Sequence, residues 1–570
     1  MILLDDSGRT RRFSAPESVI VAHAPGDVPG ALAALEAARQ AGKYAAGYFS
    51  YELGYLLEPR LRPPLPAARA VPLLWFGIFN RAEEGIPATQ ARAYAGPLVH
   101  EWDEAGYTAR FARIHEWIAA GDIYQANLSF RSRFHFLGDP LALYLNLRAQ
   151  SGAAHCAYID DGERQILSLS PELFFDLSVG GKLTARPMKG TAARGVDFAS
   201  DEIAKSDLQS SAKNRAENLM IVDLLRNDLG RVAETGSVKV ANLFEVETYP
   251  TVHQMVSTID AQLKPGMGVE ELVRALFPCG SVTGAPKIRA MEVIREMETS
   301  PRGIYCGAIG HFAPDGSANF NVAIRTLTIC GNRGELGIGG AIVHDSNAPG
   351  EYAECLLKAR YYEAGRKPLE LIETLRHAPG EGFTRLELHL ARMSRSAAAF
   401  GIPFDTQAAM RALEGAALST PARMRLTLNE DGKFNATSAV LSNDAPSLWK
   451  FAVSPIRIAS SDQLQGYKTS WREIYDSEYA RAAREGFDEI IFLNEKDEVV
   501  EASRTNIFAR MGGTLVTPPL SSGALDGCLR RALIEEGQCN ERILTLADLA
   551  HAEEIFLGNS LRGLIRAVAV

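Results

Sequence analysis

Residues 183–191 read LTARPMKGT, and Lys189 stands in them between a methionine and a glycine. The spacing predicts a turn that displays the lysine, with apolar sequence ahead of it. A lysine alone on a turn is ordinarily solvated. A lysine drawn into an apolar site loses its proton more easily and becomes a nucleophile. The residues between Gly121 and Lys358 decide which description holds.

Working outward, SLSPELFF (168–175) brings Glu172 to a strand edge behind Pro171. KNRAENLMIVDLLRNDLG (213–230) has a helical period, with Leu219, Met220, Val222, Leu224 and Leu225 as its apolar side. Glu217 lies one turn before that centre, at the rim of a pocket. PCGSVTGAPK (278–287) is a glycine-rich loop opening a helix. It lacks the spacing of a P-loop, yet its backbone N–H groups and Thr283 suit an anion. IYCGAIGHFA (304–313) and FNVAIRTLTI (320–329) read as two strands carrying Tyr305 and Arg325. In GELGIGGAIV (334–343), missing side chains at Gly339 and Gly340 let a ligand approach the backbone. Glu351, Glu354 and Lys358 share one helix face at i, i+3 and i+7. On most helices such a face is solvated. With Glu217, its carboxylates would suit Mg²⁺, a hard ion that takes oxygen ligands.

Length and composition set the frame. A chain of 570 residues is too long for one core. A net charge of -9 without a Lys/Arg-rich run argues against nucleic acid. Seven scattered cysteines show no zinc spacing and read as reduced thiols in cytoplasm. The start, MILLDDSGRTRRF, has no long apolar signal region, and no apolar run is long enough to span a membrane. Residues 1–100 form an opening lobe and 101–365 carry the motifs. A linker, EAGRKPL (363–369), precedes a second domain over 369–570.

Taken in order, GDIYQANLS, SPELF, RPMKGT, AENLMIVDLLRNDLGRV, GSVTGAPK, YCGAIG, AIRT, GIGGAIV and EYAECLLKA resemble the chorismate-utilising enzymes. The resemblance covers residues 1–365. It implies an α+β fold, a two-lobed sandwich of antiparallel sheets with helices outside and the site between the sheets. It implies Glu217 and Glu354 as Mg²⁺ ligands with Glu351 behind them, the ion offsetting the ring carboxylate with help from backbone N–H groups near Gly339 and Gly340. Tyr305 and Arg325 become the clamp on the enolpyruvyl carboxylate, Arg as a bidentate fork. Glu172 becomes the general acid at the departing C4 hydroxyl. His253 and Thr283 line the reacting edge, and Lys358 adds positive charge. Asn214 departs from the pattern, standing where relatives often carry an acid.

Two positions choose among the branches of that family. Relatives that add water carry an activating lysine where this chain has Gln125, and anthranilate synthases carry alanine where it has Lys189. The resemblance is therefore to the aminodeoxychorismate synthase branch, with Lys189 as a covalent nucleophile. No glutaminase elbow is present, which implies a separate glutamine amidotransferase subunit as the ammonia source.

Residues 369–570 resemble the fold-type IV pyridoxal-phosphate enzymes, an α/β fold. HLARM gives Arg392 as a phosphate ligand, GYKTSWR gives Lys468 as the cofactor lysine, and VVEASRTNIF gives Glu501 as partner of the pyridine nitrogen. GALDGCLRR offers the N–H groups of Cys528 and Leu529 to the phosphate, and GNSLRG offers Ser560. The front of this domain is short, reduced to LELIETLRHAPGEGF (369–383), which bears on the homodimer interface that usually completes such a site. The joint expectation is 4-aminobenzoate synthesis from chorismate, through amination and then loss of pyruvate. The rivals are an anthranilate-type synthase fused to a generic aminotransferase, and a second domain that is only a scaffold.

Overall fold

The computed structural model describes residues 1–6, 8–89, 91–249, 252–441 and 448–569. The chain divides into two compact units. The first comprises Met1–Ala88, Leu98–Phe134 and Leu143–Gly365; the second comprises Thr89–Pro97, His135–Ala142 and Arg366–Val570. The second unit thus draws in two segments from early in the sequence.

Two large sheets build the first unit. One runs Met188–Ala193, Val252–Gln262, Lys182–Arg186, Leu173–Leu177, Ala318–Val322, Ala308–Phe312, Tyr44–Phe49, Leu74–Phe79 and Ser18–Ala22, antiparallel throughout. The other places Gln125–Gly138 beside Arg333–Ile342, then Thr326–Cys330, Gln165–Ser170, His155–Asp160 and Ile2–Asp6. Strand alternation explains how they stack. In Tyr44–Phe49, Ala46 and Tyr48 enter a core shared with Ile2, Phe13, Ile159 and Ile166 of the facing sheet. Ala45 and Phe49 point the other way, into a core with helix residues such as Leu32, Ile221 and Leu272. A strand apolar on both faces is what a sheet between another sheet and a helix layer requires.

Several local expectations change. Lys189 lies on the short strand Met188–Ala193, whose register to Val252–Gln262 shifts between Met188 and Thr191. That irregularity is the turn-like feature read from Gly190, whose φ is 87°. A Cβ at Gly190 would also sit 3.0 Å from the Asn214 side chain. The helix Ala212–Val232 buries Ile221, Val222, Leu225 and Leu229, while Leu219 is exposed. FNVAIRTLTI is not one strand: Arg325, at φ 50°, breaks it into Ala318–Val322 and Thr326–Cys330.

In the second unit, Glu370–Ala378 pairs antiparallel with Ala422–Asn429, which pairs with Phe434–Val440. An eight-stranded sheet is mixed, Leu448–Ile458 running parallel to both Glu489–Asn494 and Gly563–Ala569. Residues 499–511 form two strands of that sheet, Val499–Ala502 and Asn506–Met511. Ala93–Ala95 pairs with Phe136–Gly138, and the Tyr94 ring meets Phe400 edge-on at 4.8 Å. No helix among the described residues is long and apolar enough to cross a membrane.

Candidate active sites

In the first unit the chain switches sheets twice at neighbouring points, and a charged residue sits at each switch. Gln165–Ser170 belongs to one sheet and Leu173–Leu177 to the other, with Glu172 between them. Ala318–Val322 and Thr326–Cys330 make the reverse crossing, with Arg325 between them. The crossings are bonded to each other: Val322 N–H donates to Glu172 O (3.1 Å) and Leu169 N–H to Arg325 O (3.0 Å). The left-handed backbone at Arg325 costs about 1–2 kcal/mol, and it places a guanidinium where neither sheet continues.

Glu172 is buried, and its Oε1 has no hydrogen-bond partner among the described residues. Burial pushes its carboxyl up to about 7, against the opposing pull of Ser281, Lys189 and the Met188 backbone. Lys189 is half-buried. Burial lowers its pKa and the ammonium of Lys358 lowers it further, while Glu217, Glu172 and Glu354 pull the other way. These residues form one electrostatic group, drawn from a sheet crossing, a strand and two helices.

Lys358 Nζ donates to Gly339 O (3.0 Å) and pairs with Glu354 Oε1 (2.9 Å). Burial raises the Glu354 carboxyl, but Lys358 outweighs it and leaves the group below its ordinary value. Glu217 and Glu351 stay raised, by burial first and by the Glu354 charge in addition. Glu351 Oε1 accepts from Ser346 Oγ at 2.7 Å. A Cβ on Gly340 would look onto Glu351 Oε2 at 3.5 Å and Lys358 Nζ at 3.7 Å, so this glycine opens onto the same space. Gly339 is pressed against the neighbouring strand, where a Cβ would lie 2.5 Å from Leu128 O.

Burial also lowers Arg325, and Tyr361 and Tyr249 partly offset this. Tyr361 Oη is buried without a hydrogen-bond partner among the described residues. Tyr305 is half-buried, with the Arg131 guanidinium 5.3 Å from its ring centre. Gly337 makes room for that ring, since a Cβ there would fall 2.3 Å from it. Gln125 is fully buried, and neither amide atom has a partner among the described residues. The remaining expected residues are engaged locally. His253 Nε2 meets Asp201 Oδ1 (2.9 Å) and its Nδ1 meets Thr248 Oγ1 (3.0 Å). The Thr283 hydroxyl donates to carbonyls of its own loop, Gly280 O at 3.2 Å and Cys279 O at 3.3 Å.

In the second unit, burial and then the Arg392 charge lower Lys468 to about 8. Arg392 grips Glu373 through Nε (2.8 Å) and Nη2 (2.6 Å), and its Nη1 donates to Asp526 O (2.9 Å). Burial opposes the Glu373 charge, yet Arg392 and His389 hold that carboxyl at about 2. His389 bridges Glu373 Oε2 (2.6 Å) and Ser560 Oγ (2.8 Å). Glu501 is buried and raised to about 7; Tyr475 Oη donates to its Oε1 (2.8 Å) and Leu525 N–H to its Oε2 (3.1 Å). Glu373, His389 and Tyr475 were not anticipated from sequence. The available signal was the i, i+3 spacing of His389 and Arg392 on one helix face.

Residues 80–363 match the family model of the chorismate binding enzymes, and residues 370–570 match that of the class IV amino-transferases. The chain joins a chorismate binding enzyme domain to a class IV amino-transferase domain. Aminodeoxychorismate synthase component 1 of Escherichia coli (strain K12) is 45% identical over 248 residues, 44% of this chain and 54% of that protein. The chloroplastic aminodeoxychorismate synthase of Arabidopsis thaliana is 46% identical over 248 residues, 43% of this chain and 27% of that protein. The chain therefore matches about half of the first relative's length and about a quarter of the second's. Among solved structures, anthranilate synthase component I from Streptococcus pneumoniae TIGR4 superposes with a TM-score of 0.54 at 26% identity, covering 63% of this chain and 91% of that one.

The class IV domain implies pyridoxal phosphate, and its residues fit the group. Gly527 precedes the helix Cys528–Glu535 with no side-chain cap, and a Cβ there would strike Asn506 Oδ1 at 1.9 Å. Glycine leaves that approach clear beside the first amides of the helix, a ready seat for phosphate. Thr505 Oγ1 is buried without a hydrogen-bond partner among the described residues, and Lys468 carries an amine made easier to deprotonate. In the chorismate-binding domain the donors are all carboxylate oxygens, as a hard cation requires. Among the described residues, ligand atoms of Glu217, Glu351 and Glu354 do not gather within 4.8 Å as a set of three. The arrangement suits an ion that takes two of them and fills its shell with water or substrate oxygens.

Proposed function

We propose that the chorismate-binding domain aminates chorismate to 4-amino-4-deoxychorismate, and that the class IV domain removes pyruvate to leave 4-aminobenzoate, a folate precursor. Lys189 carries the reading: a lysine with a lowered pKa, in one electrostatic group with an acid raised to about 7.

Arg325 and Tyr305 hold the enolpyruvyl carboxylate. Glu217 and Glu354, with Glu351 behind them, would hold Mg²⁺ to offset the ring carboxylate, and Lys358 adds to that field. The neutral Lys189 amine attacks ring C2, both ring double bonds shift by one position, and the C4–O bond breaks. Glu172 gives its proton to the departing hydroxyl, which leaves as water. Ammonia then bonds to C4, returns a proton to Glu172, and the shift reverses to expel Lys189. Buried Gln125, a neutral amide, offers no base to activate water in competition. A separate glutamine amidotransferase supplies the ammonia in this reading, and free ammonia substitutes in vitro. The same reading places the chain in the cytoplasm.

In the class IV domain, pyridoxal phosphate supplies the electron sink. Arg392, Ser560 and the amides of Cys528 and Leu529 would hold its phosphate, and Glu501 would serve its ring nitrogen. Lys468, with an amine near 8, takes the C4 proton of the substrate. A homodimer through this domain belongs to the reading and is checked by sedimentation.

Incubating the chain with chorismate, Mg²⁺, ammonia and pyridoxal phosphate is expected to yield 4-aminobenzoate and pyruvate. Anthranilate or salicylate as the main product contradicts the reading of Lys189 and Gln125. A second test uses pH. Glu172 must be protonated to act, so amination measured with saturating ammonia falls as pH rises through about 7. Glu172→Gln is expected to lose roughly 10²–10⁴-fold in rate. A variant that keeps both rate and profile removes Glu172 from the acid role.

A further inference from the structure

A hydrogen-bonded relay runs from Glu501 to an arginine contributed by an early segment of the chain. Tyr475 Oη donates to Glu501 Oε1 at 2.8 Å. Gln465 Nε2 donates in turn to Tyr475 Oη. Arg92 Nη2 donates to Gln465 Oε1 at 2.7 Å, and its Nε donates to Asp462 Oδ2, also at 2.7 Å. Arg92 lies within residues 89–97, which belong to the second unit. Gln465, Tyr475 and Glu501 are buried, and the Asp462 side chain is only 8% exposed.

The relay has one permitted direction. A guanidinium has donors and no acceptor. Gln465 must therefore turn its carbonyl to Arg92, which turns its amide to Tyr475. The tyrosine oxygen is then taken as an acceptor, and its proton points at Glu501. Leu525 N–H supplies a second donor, to the other carboxylate oxygen. Two donors favour the ionised carboxylate against the burial that opposes it. The cations of Arg472 and Lys468 act in the same sense, Arg472 lying 5.1 Å from the Tyr475 ring centre.

We propose that Arg92, acting through Gln465 and Tyr475, is a positioning residue that holds Glu501 as an acceptor for the protonated ring nitrogen of the class IV cofactor. The proposal rests on the reading that this domain takes pyridoxal phosphate at Lys468. It gives residues 89–97 a task in the class IV site, whose own front is short.

The test compares Arg92→Met, Arg92→Lys and Tyr475→Phe with the parent in the full chain. Infrared difference titration without cofactor, with Glu501→Gln as the blank, reads the Glu501 midpoint itself. Arg92→Met and Tyr475→Phe are expected to raise that midpoint by about one pH unit, and Arg92→Lys to restore most of it. In absorbance titrations near neutral pH, the first two variants are expected to bind pyridoxal phosphate about tenfold more weakly. An unchanged midpoint overturns the proposal, even where the melting temperature falls, because the contact is then structural only. A raised midpoint with unaltered cofactor affinity overturns it as well. A parent chain that takes up no cofactor overturns the class IV reading instead, and the infrared midpoint then still reports whether the relay governs Glu501.

Discussion

Lys189→Ala is expected to stop formation of 4-amino-4-deoxychorismate, with a loss of roughly 10⁴-fold or more, as when an enzyme loses its nucleophile. The electrostatics separate this lysine from its neighbours. Lys358 Nζ is committed to Gly339 O and Glu354, and its pKa is raised. The Lys213 side chain is 55% exposed. Lys189, unlike Lys358, combines a lowered pKa with the pull of the Glu172 charge. Removing its amine takes a desolvated charge out of the site, so the melting temperature should hold. Without the covalent route, ammonia is left to attack C2 itself, and anthranilate becomes the expected residual product. The parent chain quenched with chorismate in the absence of ammonia should carry the ring on the peptide containing Lys189. Aminodeoxychorismate at the parental rate from Lys189→Ala, with no adduct on the parent, would leave the nucleophile role without support.

The sequence made the elements legible more readily than their junctions. Helical periods placed the helices around Glu217 and Lys358, because local pattern and burial agree there. FNVAIRTLTI reads as a single strand because apolar alternation does not register a change of sheet. The left-handed φ at Arg325 is set by the crossing, and nothing in its neighbours announces it. The site residues were visible as charges set in apolar or glycine-rich context. Their partners were not, because Glu373 with Arg392 and Gln465 with Tyr475 meet only after folding. The linear cut near 363–369 also concealed how residues 89–97 and 135–142 join the second unit. Sequence order carries no signal for a segment that leaves one unit and returns.

Lys468→Ala is expected to let 4-amino-4-deoxychorismate accumulate while 4-aminobenzoate falls by roughly 10³-fold or more, again the scale for a lost catalytic amine. The backbone should tolerate the change, because Ile372 N–H donates to the Lys468 carbonyl (2.9 Å) whatever the side chain. The amination rate should be unaffected, since Lys189 and Glu172 lie in the other unit. The parent amine, near 8, is substantially neutral in mildly alkaline buffer, and bound pyridoxal phosphate should give it a visible absorbance that the variant lacks. Mixing Lys468→Ala with Lys189→Ala separates chemistry from transfer. Each chain then keeps one intact site, and 4-aminobenzoate returns if the intermediate passes through solution. Its absence from the mixture, with each step proven separately, would mean that the intermediate does not leave the chain that made it. Undiminished 4-aminobenzoate from Lys468→Ala alone would show that pyruvate loss does not depend on this lysine, and the lyase reading of the class IV domain would be lost with it.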